Sequence, residues 1–171
     1  LLLLPALFCV KIAGAADANS AEYIKPYIPQ AEKVGEGRLS YLFWDVYDAS
    51  LFAPEGDLED GEPFALKLTY LRDITGRKIA DRSAEEMRAL GMRDEMTLAA
   101  WHEQMRKIFP DVKEGMTLTG LYLPSGETVF FNDGQEIGRV DDPQFGRYFF
   151  SIWLHEETSA PDLRRKLLGA R

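Results

Sequence analysis

Apolar and polar positions along this chain change period three times: from the two-residue alternation of strands to the 3.6-residue spacing of helices, back again, and once more to helical spacing. The first alternating stretch, Val34 to Pro54 (VGEGRLSYLFWDVYDASLFAP), is the longest apolar and aromatic run outside the amino terminus. Gly35 and Gly37 precede its apolar part and Pro54 closes it. Leu39, Tyr41 and Phe43 alternate with Leu42, Trp44 and Val46, so both faces are apolar in the middle. That pattern predicts strand held between two layers rather than at a wet surface. The run is longer than a usual strand of about 5–6 residues, which predicts a turn or bulge near Trp44 and Asp45 and two paired strands. Arg38 then lies at the start of the first strand and Tyr47 near the start of the second, where a fold-back could aim both side chains into one cavity.

Phe64 to Ile74 alternates cleanly. Phe64, Leu66, Leu68, Tyr70 and Arg72 share one face, Ala65, Lys67, Thr69 and Leu71 the other. The first set is read as inward, which makes Arg72 a buried cation that must either pair with a carboxylate such as Asp73 or meet an anionic ligand. Helical spacing follows. Ser83 and Glu86 have the spacing of a capping box for a helix ended by Gly91. A second helix is predicted from Asp94 to Phe109, before Pro110, with Leu98, Trp101, Met105 and Ile108 on its apolar face. His102 flanks that stripe, where a structural or solvated role is expected. Three short strands come next, Met116–Leu123, Thr128–Asn132 and Glu136–Val140, with Pro124-Ser125-Gly126 and Asp133-Gly134 as hairpin turns. Asp141-Asp142-Pro143 opens a helix whose stripe is Phe145, Tyr148, Phe149, Ile152 and Trp153. Ser159 and Asp162 are read as caps of a last helix carrying Leu163, Leu167 and Leu168.

Composition narrows the function classes. The chain has 171 residues, 46% hydrophobic and 28% charged, enough for one globular domain with a real core. Its formal net charge of −8 argues against nucleic acid or an anionic membrane surface as partner. Arg164, Arg165 and Lys166 fit the last turn of a helix, where the dipole favours cations. Gly35-Glu36-Gly37 precedes a strand rather than a helix, so it is no phosphate-binding loop. No nucleophile elbow or metal-ligand spacing is present, and neither a metal nor another cofactor is expected.

Residues 1–15 resemble a signal peptide without its initiating Met and basic region. Leu1 to Val10 is an apolar run too short for a membrane-spanning helix of about 20 residues. Ala13, Gly14 and Ala15 place cleavage after Ala15. Cys9, the only cysteine, falls inside this segment, and an exported chain without disulfides fits a bacterial periplasm. Residues 16–33 are expected as an irregular lead-in and 34–171 as the domain proper.

Strands, helices, strands and helices in that order predict an α+β domain, an antiparallel sheet covered by a layer of helices as in an open-faced sandwich. The colinear set GEGR, DVYDASLF, LKLTYLRDITGRK, the Gly91-ended helix, the helix ending in Phe109-Pro110, the GLYLPSGETVFFNDG hairpin and a late helix ending in SIWL resembles the chalcone isomerase family, in particular its bacterial exported branch. The resemblance spans about Val34 to Leu168. It implies a cleft between sheet and helices, used by the plant isomerases for a flavonoid precursor and by fatty-acid-binding relatives for an acyl chain whose carboxylate meets an Arg and a Tyr. Arg38 resembles that arginine and Tyr47 that tyrosine. The isomerases also carry a tyrosine and an asparagine at places that fall near Ile79 and Glu86, and this chain matches neither.

Cyclising an enone requires donors that stabilise a developing enolate. With two of them missing, the expected function is a non-catalytic binder of a fatty acid or similar anionic apolar ligand. Arg38 and Tyr47 would form the anion clamp, with Tyr70 and Arg72 as second contributors. Two other readings stay open: an intramolecular lyase of chalcone isomerase type, and an interaction protein without a small ligand. The sequence leaves the oligomeric state unknown.

Overall fold

The structure, a computed structural model, describes residues 19–170; the expected signal segment, with Cys9, lies outside the described residues. Six strands form one antiparallel sheet in chain order: β1 (Ala31–Tyr41), β2 (Trp44–Pro54), β3 (Phe64–Tyr70), β4 (Thr117–Tyr122), β5 (Thr128–Asn132) and β6 (Gln135–Val140). The fold is the expected α+β arrangement, an open antiparallel sheet with four helices on one face.

The first aromatic run does make two paired strands, but the turn falls earlier than expected. Tyr41 pairs with Trp44, so Leu42 and Phe43 are the turn, with Leu42 at a φ of 55°. Tyr41 through Trp44 are exposed. The expectation that the middle of this run lies between two layers is therefore wrong. Its apolar residues on both faces belong to a protruding turn, where strand alternation has no meaning. The other hairpin signals hold: Asp133-Gly134, both with positive φ, closes β5 on β6.

Three strands carry an extra residue. In β2 the register steps from Leu39 opposite Tyr47 to Ser40 opposite Asp45, leaving Val46 with no register partner in β1; Val34 and Ile137 are skipped in the same way in β1 and β6. The bulge at Val46 breaks the alternation just where β2 approaches the helical layer.

Helix α1 (Gly76–Ala89) starts a full two turns before the sequence suggests. Its cap is Thr75, whose side chain accepts from the Lys78 amide, and the Gly76 amide donates to Asp111 at 2.8 Å. Ser83 is a mid-helix residue whose hydroxyl donates to the Ile79 carbonyl, so Ser83 and Glu86 make no capping box. Helix α2 (Glu95–Ile108) is capped by Asp94 as expected. His102 faces Asp81 of α1 at 2.6 Å, a link between the two helices. Helix α3 (Pro143–Leu154) begins after Asp142, which accepts from the Gln144 amide and from the Trp101 indole, both at 2.9 Å. Helix α4 (Pro161–Leu167) has no side-chain cap; Ser159 donates to Glu86 instead.

The main core lies between the sheet and these helices and is rich in edge-on aromatic pairs, Phe130 against Phe149 and Phe109 among them. A smaller core covers the opposite face of the sheet. There the lead-in forms a 3-10 turn (Asn19–Ile24), and Ile24 and Ile28 pack on Phe52, Leu121, Val129 and Phe131. The Tyr23 hydroxyl meets Thr119 Oγ1 at 2.6 Å.

Candidate functional site

A cleft of about 710 Å³ lies between the helical face of the sheet and helices α1 and α3, within the range of about 300–1,000 Å³ typical of small-molecule sites. Strand alternation sends Leu66, Leu68 and Tyr70 of β3 to it, and register puts Tyr47 directly opposite Tyr70. The β2 bulge lets Val46 and Tyr47, neighbours in sequence, both reach its wall. Phe130, Phe149 and Ile152 close the apolar side. At Gly120 a β-carbon would meet the Phe150 ring at 3.2 Å, so the sheet leaves its side chain out where the aromatic helix lies closest.

The polar groups come from two directions. Tyr47 is 9% exposed and Tyr70 2%, and their rings meet edge-on at 5.7 Å. The Tyr47 oxygen accepts from the Trp153 indole at 2.9 Å. Burial pushes the Tyr47 phenol up to about 12, partly offset by that hydrogen bond. Burial, with the neighbouring Tyr47 phenol, raises Tyr70 further still. The Tyr70 hydroxyl meets no protein partner among the described residues, although its residue is almost fully buried. Both phenols are therefore held neutral and able to donate into the cleft.

Helix α1 supplies the charge. Lys78, Arg82 and Glu86, spaced four apart, all line the cleft. Glu86 is buried, pairs with Arg82 and accepts from the Ser159 hydroxyl at 3.0 Å. Lys78 and Arg82 are exposed as well as lining the cleft, which marks its mouth, and so do Ser40 and Tyr41 beside the turn of the first hairpin. Among the described residues no group of three or more His, Cys, Asp or Glu is arranged to hold a metal, and no helix is long and apolar enough to cross a membrane.

Of the four residues singled out from sequence, Tyr47 and Tyr70 meet in the cleft, while Arg38 and Arg72 do not reach it. Arg38 pairs across the strands with Asp48, whereas Leu39 pairs with Tyr47. One residue apart means opposite faces. The Arg38 guanidinium is forked onto Asp48 at 2.7 and 3.0 Å and also reaches Asp45 at 3.0 Å. The expected clamp of Arg38 with Tyr47 is thus not formed. Arg72 follows the end of β3, where alternation no longer fixes direction, and is exposed with its guanidinium 4.9 Å from the centre of the Trp44 ring. Lys78 and Arg82 were missed because they fall in the part of α1 that the Ser83 signal hid. Thr75 followed by Ile79 and Ser83 at four-residue spacing was the signal that could have found them.

A family model described as chalcone isomerase-like matches residues 34–169. The chain belongs to this chalcone isomerase-like family. A crystal structure of an Arabidopsis thaliana fatty-acid binding protein shares the fold of this chalcone isomerase-like chain. It has a TM-score of 0.65 at 13% identity, over 82% of this chain and 87% of that one. No curated protein sequence is significantly similar. The two places where the family resemblance expects a tyrosine and an asparagine, Ile79 and Glu86, do line the cleft of this chalcone isomerase-like protein. Ile79 offers no hydrogen-bond donor there and Glu86 offers an acceptor already engaged by Arg82 and Ser159.

Proposed function

We propose that this chalcone isomerase-like protein binds one fatty acid or similar anionic amphiphile in the cleft and does not transform it. The observation that carries the reading is the cleft itself: about 710 Å³ with predominantly apolar walls, a phenol at depth with no partner among the described residues, and two cations at the mouth, Lys78 and the Glu86-paired Arg82. An acyl chain gains by leaving water for such walls, at about 25 cal/mol per Å² of apolar surface buried. Its carboxylate gains the charge of Lys78 and those N–H donors of Arg82 that Glu85 and Glu86 leave over, with the phenols as donors on the inner side. A chain in the fold of a fatty-acid binding protein is consistent with this assignment. Where the isomerase pattern would need donors to an enolate, Ile79 and the engaged Glu86 supply none, which favours holding over catalysis.

The test is a titration of delipidated protein with a fluorescent long-chain fatty acid, followed by displacement with an unlabelled acid and with the matching alcohol. Saturable one-to-one binding, tighter for the acid than for the alcohol, is expected. Absence of saturable binding, or cyclisation of a chalcone above the spontaneous rate that vanishes in Tyr47→Phe, would overturn the reading. We also place the protein in the periplasm, on the apolar Leu1–Val10 run and the small residues at Ala13 to Ala15. A fusion of residues 1–33 to a reporter active only outside the cytoplasm tests that placement.

A further inference from the structure

Four consecutive large apolar side chains stand in solvent at the tip of the β1–β2 hairpin: Tyr41 at 68% exposure, Leu42 at 76%, Phe43 at 98% and Trp44 at 60%. Neither core uses them. Leu42 is the first of two turn residues and its φ of 55° lies where glycine, asparagine or aspartate costs less. A leucine at that place works against the turn, and a broken local rule without a packing gain is expected where function is served.

The tip is layered by depth. Leu42 and Phe43 form the apex, and the amphiphilic rings of Tyr41 and Trp44 come one step behind. Next are the Arg72 guanidinium over Trp44 and the Arg38, Asp45 and Asp48 cluster. Apolar apex, aromatic belt and charge in that order match the profile of a bilayer interface. The net charge of −8 disfavours a strongly anionic surface. Ser40 and Tyr41 also line the cleft, so the tip is continuous with the cleft mouth.

We propose that the β1–β2 tip docks on a zwitterionic lipid surface and seats the mouth of the cleft against it. This goes beyond ligand binding and does not depend on which molecule the cleft holds. Trp44 is a built-in reporter. Trp101 and Trp153 are buried with their indoles bonded to Asp142 and Tyr47, so only Trp44 can meet lipid. The experiment mixes the full chain with phosphatidylcholine vesicles carrying brominated acyl chains and follows tryptophan emission. Quenching and a blue shift are expected, both absent in Trp44→Phe. The double variant Leu42→Gly, Phe43→Asp is expected to lower partitioning by about tenfold or more with an unchanged circular dichroism spectrum and a thermal unfolding midpoint no lower than that of the parent. Three results each overturn the proposal: no Trp44 quenching, equal partitioning of the double variant, or a blue shift that tracks protein concentration without vesicles, which means self-association. Fatty-acid titration in vesicle-free solution is unaffected by the tip variants, so failure of ligand binding and failure of docking are read separately.

Discussion

The indole of Trp153, on α3, donates from Nε1 to the hydroxyl oxygen of Tyr47, on β2, across 2.9 Å in the interior. This bond ties the aromatic helix to the sheet at the cleft wall and uses the phenol as acceptor, leaving its own O–H to donate into the cleft. Its neighbour Tyr70, edge-on at 5.7 Å, has no such tie. Two phenols side by side thus have different duties, one in holding the wall and one open to whatever enters.

Alkaline pH tests the burial of this pair. In the unfolded chain both phenols lose their protons near pH 10. In the folded protein burial pushes Tyr47 up to about 12, and Tyr70 is raised as well. Below pH 10 both groups are neutral in either state and stability is undiminished. Above it the unfolded chain releases protons that the folded one retains, so stability falls as pH rises toward 12. For Tyr47 alone the full loss is roughly 2–3 kcal/mol. Urea unfolding between pH 8 and 11 measures the slope, which Tyr47→Phe is expected to make shallower.

Replacing each phenol by Phe separates their roles. Tyr47→Phe leaves the Trp153 N–H buried without an acceptor, at a cost of roughly 1–3 kcal/mol in folding stability. Tyr70→Phe removes no hydrogen bond to the described residues and is expected to leave stability unchanged or slightly higher. Its effect appears in ligand titration, where losing one donor weakens fatty-acid binding by roughly 2–12-fold. Equal affinity in Tyr70→Phe would show that the bound head group lies elsewhere.

Element types were legible in the sequence because the period of apolar residues is a property of the elements themselves. α2, β5 and α3 fall within a residue or so of expectation, each bounded by a cap or turn residue that does what its chemistry predicts. The site was only half legible. Tyr70 follows from the alternation of β3, but the parity of β2 is reset by the bulge at Val46, which no alternation reveals. Arg38, one residue from inward-facing Leu39, therefore went to the wrong face. The exposed hairpin tip was hidden by the same habit of reading apolar as buried. The cations of α1 were lost to a capping signal, Ser83 and Glu86, that in the fold serves a helix interior and a contact with Ser159.

Charge at the cleft mouth is separable from charge on the outer face of the sheet. Arg38→Ala removes a pair exposed to solvent on the face away from the cleft, so fatty-acid affinity is expected to stay the same and stability to change little. Lys78→Gln and Arg82→Gln are each expected to weaken binding of the acid by roughly 2–5-fold while leaving the alcohol unaffected, with a difference that shrinks as salt is added. Displacement titrations of the three variants with acid and alcohol decide it. An Arg38 variant that loses acid binding while Lys78 and Arg82 variants keep it would return the clamp to the outer face.

The last helix rests on a place where no side chain fits. A β-carbon on Gly35 would lie 2.1 Å from the Lys166 carbonyl oxygen and 2.5 Å from that of Leu167, and backbone of this kind cannot swing aside. At Gly37, one turn of the pleat away, the added carbon would meet the Leu163 Cδ1 at 2.9 Å and the flexible stem of Lys166, which can move. Gly35→Ala must therefore lift the end of α4 off the edge strand β1, uncovering Leu163 and Leu167. A cost of roughly 1–3 kcal/mol is expected, with a clearly smaller one for Gly37→Ala. Thermal and urea unfolding of the two variants measure the difference. Faster hydrogen exchange confined to β1 and α4 in Gly35→Ala would locate the damage where the close approach puts it.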